Sequence, residues 1–118
     1  MPAKSLEIRD LRPGMKNVTV EGRLMKLSGA QRTKKGMMCI AFLKQGKFRT
    51  RLRLDSEMMG TVERGDHVKL LNFDTQKGRL TLVPNEKSIM VANGNRVWIG
   101  WKLKEMEARR KKRKTASR

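Results

Sequence analysis

Polar and apolar positions alternate most strictly between Phe48 and Leu54. If the stretch is extended, Phe48, Thr50, Leu52 and Leu54 take one side and Arg49, Arg51 and Arg53 the other. A helix would scatter these arginines around its circumference, whereas a strand sets them in a row about 6.6–6.8 Å apart. A second alternating stretch, Lys16 to Leu27, predicts a long strand with Val18 and Val20 on one face. Gly22 interrupts it, and a glycine inside a strand marks a bulge or a sharp bend. A long strand bent in the middle can belong to two sheets at once, which is how a small barrel closes.

The run Met37 to Leu43 is nearly continuously apolar and reads as a strand buried on both faces. Lys44-Gln45-Gly46-Lys47 turns it into the arginine strand. Between the first two strands, Ser28 to Gly36 is polar and glycine-flanked and reads as a loop. Its Arg32, Lys34 and Lys35 form either a phosphate clamp or an ordinary basic surface. Asp55-Ser56-Glu57 starts a short helix that packs Met58 and Met59 inward and ends at Gly60. His67 to Phe73 predicts a fourth strand, with Val68, Leu70 and Asn72 on one face, and Arg79 to Val83 a fifth, stopped by Pro84. Met1 to Met15 is a lead-in whose Leu6, Ile8 and Leu11 pack on the sheet. Ile89 to Val91 form a short strand or cover the barrel's open end. From Lys102 the composition favours helix, and from Lys111 the chain has nothing but Ala116 to bury and is expected to be disordered alone. Five strands, a short helical insert between the third and fourth, and a bend in the first describe an all-β, five-stranded OB-fold barrel with a basic, partly helical C-terminal extension. The expected division is residues 1–91 for the barrel and 92–118 for the extension.

Charge changes the picture from fold to partner. The 118 residues carry a net charge of +18 and a pI near 11.2. Lys102 to Arg118 holds nine basic and two acidic residues, net +7, while the remaining 20 basic and 9 acidic residues leave the body at +11. The body is therefore basic in its own right, and an anionic polymer is the natural partner. No apolar run approaches the roughly 20 residues of a membrane span, and no signal pattern opens the chain, so a membrane is not expected and the cytoplasm or nucleoid is (the nucleus in a eukaryote). Lys111-Lys112-Arg113-Lys114 fits a nuclear import signal or a phosphate-binding tail equally. Cys39 and His67 are single, which leaves no disulfide, no metal cluster and no nucleophile–base pair. Asp55, Glu57, Glu63 and Asp66 flank the helical insert, where turns and caps explain them. No cofactor, metal or catalytic activity is expected.

Three stretches resemble one family. Leu11-Arg12-Pro13-Gly14-Met15-Lys16-Asn17-Val18-Thr19-Val20-Glu21-Gly22-Arg23 is similar to the opening of the archaeal and human-type simple single-stranded DNA-binding proteins, relatives of replication protein A. Val62-Glu63-Arg64-Gly65-Asp66-His67-Val68-Lys69-Leu70 resembles their turn into the fourth strand, and Lys77-Gly78-Arg79-Leu80-Thr81-Leu82 their last hairpin. The resemblance covers about Leu6 to Val91 and implies binding of single strands, partly by stacking bases on aromatic side chains. Here the sequence departs from the family. Leu54 stands where an aromatic is expected, Phe73 lies one position off register, and tyrosine is absent. Phe42 and Phe48 are expected in the core, and Trp98 and Trp101 fall outside the matched stretch. Arginine must then substitute through charge and planar stacking.

The expected function is binding of single-stranded nucleic acid, DNA before RNA, with little sequence preference. Arg49, Arg51 and Arg53 form the track; Arg32, Lys34 and Lys35 close over it; Phe73, Lys77 and Arg79 line the other side; Arg109, Arg110, Lys111, Lys112, Arg113 and Lys114 add the tail. The alternative is a ribosomal or ribosome-associated protein held on ribosomal RNA beside ribosomal proteins, which suits small size, extreme basicity and few aromatics.

Overall fold

The computed structural model describes residues 5–27, 29–34 and 36–116. The elements in chain order are β1 (Ser5–Leu6), a single 3-10 turn (Ile8–Asp10), β2 (Val18–Leu27), β3 (Gln31–Thr33), β4 (Gly36–Gln45), β5 (Phe48–Asp55), α1 (Ser56–Met59), β6 (His67–Thr75), β7 (Thr81–Val83), β8 (Ile89–Ala92), β9 (Asn95–Ile99) and α2 (Trp101–Ala116).

Five strands close a circuit. β2 pairs antiparallel with β4, β4 with β5, and β5 runs parallel to β7; β7 pairs antiparallel with β6, and β6 returns to β2. This circuit with a helix between its third and fourth strands is the expected OB barrel. β2 closes it by serving two neighbours. Its first half, Val18 to Arg23, lies on β6, and its second half, from Arg23, lies on β4. Gly22 stands at the handover. A Cβ there would sit 2.6 Å from the Lys44 carbonyl oxygen and 3.0 Å from Leu43 Cγ, so the approach of β4 admits only glycine.

The alternation in β5 holds: Thr50, Leu52 and Leu54 are buried, Arg49 is exposed, and Arg51 and Arg53 are half-buried on the outside. Val20, Leu24, Leu43, Met58, Val68, Leu70, Phe73 and Leu82 complete the core. Burying each such side chain contributes about 1.5–3 kcal/mol.

Several expectations change. β4 is buried on one face only: Cys39, Ala41 and Leu43 point in, while Met38, Ile40 and Phe42 are half-buried outside. A closed single-layer barrel has one interior, so the alternate residues of even an apolar strand must face out. The stretch expected as a loop carries β3, which folds back on β4 with Gln31 opposite Met38 and Arg32 opposite Met37. In β6 the parity flips: Leu70 faces Val20 but Phe73 faces Val18, so three residues on β6 oppose two on β2. Asn72 takes a left-handed φ of 58° in this bulge, and Phe73 rather than Asn72 enters the core. β7 begins at Thr81 rather than Arg79.

β8 and β9 form a hairpin on the outer edge of β6, with Leu70 opposite Met90. Asn93 and Gly94, both at positive φ, make its two-residue turn. The division expected at residue 91 falls inside this hairpin. Gly100 then starts the extension where a Cβ would lie 2.3 Å from the Glu86 carbonyl oxygen. The Lys102 amide donates to that oxygen at 3.0 Å, and the Gly100 amide donates to Ser88 O at 2.8 Å. α2 is tied down by Arg96–Glu107 at 2.8 Å and Lys104–Glu57 at 3.1 Å. Helix continues through Lys111, where disorder was expected, to Ala116.

Candidate nucleic-acid interface

Directly opposed residues of an antiparallel pair share a face. The β4–β5 register sets Lys44 opposite Arg49, Phe42 opposite Arg51, Ile40 opposite Arg53 and Met38 opposite Asp55. The outer face therefore carries two parallel rows, three arginines on β5 and Lys44, Phe42 and Ile40 on β4. The two-residue loop Gly46-Lys47, with Gly46 at φ 61°, fixes this register. On the other side of β4, Arg23 faces Lys44. Arg23, Lys44 and Arg49 thus form one basic rung across three strands, crossing the arginine row at its start.

Phe42, on this face, is roofed by a cation. The Arg49 guanidinium lies 5.4 Å from the Phe42 ring centroid, within cation–π range; on the opposite side of β5, Lys47 Nζ lies 5.6 Å from the Phe48 ring centroid. Arginine stems cover apolar surface while their forks stay near water. The Nε atoms of Arg51 and Arg53 are both covered without a hydrogen-bond partner. Arg53 Nε has an ionic neighbour, Asp55 Oδ1 at 3.2 Å, without hydrogen-bond alignment. A covered donor left without an acceptor costs about 1–3 kcal/mol.

Beside the rung is an open cavity of about 720 Å³. Phe42 and Met25 supply its apolar surface, and Lys44, Lys47, Arg49 and Arg64 are its charged residues, with no carboxylate among them. Four cations around an aromatic surface suit a phosphate with its base.

The sequence-derived candidates divide as follows. Arg49, Arg51 and Arg53 stand together on this face. Lys77 and Arg79 lie exposed in the β6–β7 connection; Lys77 packs over the turn at Gly14, its Cγ 3.4 Å from where a Cβ would be. Because β7 runs parallel to β5 with Thr81 beside Arg51, Arg79 leaves β7 toward the Arg49 end. Arg32 is exposed on β3, but as the partner of Met37 it shares that residue's side of the hairpin rather than the side of Ile40. Lys34 is exposed at the hairpin tip, and Lys35 lies outside the described residues. Phe73 is fully buried and leaves the interface, because the bulge turns it inward. Arg109 and Arg110 are exposed on α2, Arg109 pairing with Glu105 at 3.2 Å. For Lys111, Lys112, Arg113 and Lys114 the description covers the helical backbone alone, their side chains lying outside it.

Sequence reasoning missed Arg23, Lys44, Lys47, Arg64 and Phe42. Lys44 and Phe42 were recoverable, since a Gly46-Lys47 loop forces Lys44 opposite Arg49 and Phe42 opposite Arg51. Phe42 and Phe48, expected in the core, are on the surface, Phe48 being 40% exposed. Among the described residues no group of three or more His, Cys, Asp or Glu side chains stands where it could hold a metal ion, and no helix is long and apolar enough to cross a membrane. Burial pushes the Cys39 thiol above its ordinary pKa.

The barrel is similar to a solved structure, the OB domain of Ta0387 from Thermoplasma acidophilum. It superposes with a TM-score of 0.55 at 17% identity over 75% of this chain and 85% of that one. The fold is an OB barrel. No family model and no curated protein matches the sequence. OB barrels bind oligonucleotides on the face built by their second and third strands; here those strands are β4 and β5, the pair that carries both rows.

Proposed function

We propose that this OB domain binds single-stranded nucleic acid, DNA before RNA, with little sequence preference. The observation that carries the reading is the outer face of β2, β4 and β5, where the Arg23–Lys44–Arg49 rung meets the Arg49–Arg51–Arg53 row. The backbone of a strand lies along the row, its phosphates meeting arginine forks. Phe42 under Arg49 offers apolar surface to the bases, where the sequence left arginine alone to do so. The preference for DNA and for single strands rests on the resemblance to simple single-stranded DNA-binding proteins. Cations that meet phosphates meet the same group in every sequence, so tolerance of sequence follows. Fluorescence anisotropy with a labelled oligonucleotide tests this: tight binding of single strands and weak binding of the matching duplex is expected, and equal affinity for both refutes it.

A second reading, a structural protein on ribosomal RNA, is favoured by one observation. The basic helix α2 extends from the barrel with Arg109 and Arg110 exposed, as suits an extension lying on RNA. Cosedimentation with ribosomal particles through a high-salt wash is its test, and absence from those particles refutes it.

A further inference from the structure

The Arg53 end of the row opens into a second groove, of about 540 Å³. Arg53 and Asp55 contribute from β5, Met37 and Lys34 from the β3–β4 hairpin, and Trp98 and Trp101 from the C-terminal extension. Its volume lies within the roughly 300–1,000 Å³ of small-ligand sites. Trp101 is 62% exposed and Met37 39%, two large apolar side chains left in water at the same groove.

The backbone at Trp101 and the side chain of Trp98 are both anchored. Trp101 sits between Gly100 and Lys102, whose amides are bonded to Ser88 and Glu86 carbonyls at 2.8 and 3.0 Å. The Trp98 indole N–H donates to Glu57 Oε2 at 3.3 Å. Glu57 is also bonded by Lys104, and those hydrogen bonds, Lys104's first, hold its carboxyl below the ordinary range. An exposed indole on an anchored backbone is a stacking surface, with its apolar face open to a ligand.

The carboxylates decide what the groove takes. Asp55 and Glu57 both line it beside Lys34 and Arg53, and each carboxylate is ion-paired, Asp55 with Arg53 and Glu57 with Lys104, so the lining has no surplus of positive charge to hold a phosphate. A base is uncharged, has a face for an indole, and in cytosine, adenine or guanine carries an amino group that a carboxylate accepts. A strand running along the arginine row reaches this groove at Arg53, where the alternation of cation and carboxylate matches phosphate followed by base.

Resting on the single-strand reading above, we propose that the groove between the β3–β4 hairpin and the start of α2 is a base-stacking subsite in which Trp101 stacks on one unpaired, amino-bearing nucleobase of the bound strand.

The test uses the full chain with two probes of about twelve nucleotides, near the site size of an OB domain: oligo(dC), and an abasic phosphodiester of the same length. Oligo(dC) is expected to quench tryptophan fluorescence and the abasic probe to leave it unchanged. Trp101→Ala is expected to weaken oligo(dC) binding about 5- to 150-fold, the worth of one stack, with abasic binding unaffected and Trp101→Phe recovering part of the loss. Equal wild-type affinity for the two probes, or a Trp101→Ala variant that loses both equally or neither, overturns the subsite. If neither probe binds the wild type, the single-strand reading fails first.

Discussion

Replacing Arg49, Arg51 and Arg53 together by glutamine removes three positive charges from one face and leaves a polar side chain at each position. These side chains lie outside the barrel, so the fold is expected to survive, as a thermal melt can show. If the three arginines, Lys44 and Arg23 each meet one phosphate, about five contacts give a slope of about −3.5 in log affinity against log salt, and a fourfold rise in salt costs about 130-fold. The variant keeps about two contacts, a slope of about −1.4 and a loss of only about sevenfold over the same range. Anisotropy titrations with one labelled oligonucleotide at four salt concentrations give both slopes. A folded triple variant with the wild-type slope would refute the track, since the charges removed could not then be those that displace counterions.

Gly22→Ala is expected to destabilise by about 1–3 kcal/mol in urea melts, because its Cβ meets the Lys44 carbonyl oxygen at 2.6 Å; a neutral result would mean that β2 does not pass tightly between its two partners. Phe73→Ala is expected to cost about 3–5 kcal/mol of stability while single-strand affinity, measured where the variant is folded, stays at the wild-type value. Glu57, held below its ordinary carboxylate pKa chiefly by the hydrogen bond from Lys104, contributes docking of α2 that is present above the unfolded carboxylate pKa and lost as pH falls through the lowered folded value. Acid titration of tryptophan fluorescence should show that transition, weakened by salt because the pair is exposed, and Glu57→Gln should abolish it.

How much of this was legible varies by element. The alternation of β5 identified its inward and outward residues directly, and Gly22 marked the bend that lets one strand close the barrel. The helical insert was legible from Asp55-Ser56-Glu57 followed by Met58, which is buried. Phe73 was misplaced because one left-handed residue, Asn72, shifts the parity of everything after it. Met37 to Leu43 looked buried on both sides because apolar composition does not say that a closed barrel has a single interior, which leaves Met38, Ile40 and Phe42 facing out, Phe42 beneath Arg49. Arg23 and Arg64 were invisible for a different reason. They join the site through pairing and proximity between distant segments, which periodicity along one strand does not encode. The tryptophans became meaningful only when the extension was seen to start at Gly100 against Glu86, beside the end of the arginine row.

The most direct measurement of the central claim is backbone amide chemical-shift mapping of the full chain with an unlabelled single-stranded oligonucleotide. Binding along the arginine row predicts the largest shifts in Met38 to Asp55, with further shifts at Arg23 and Trp101. Shifts confined to α2, with β4 and β5 unmoved, would contradict it and leave the barrel face without a ligand.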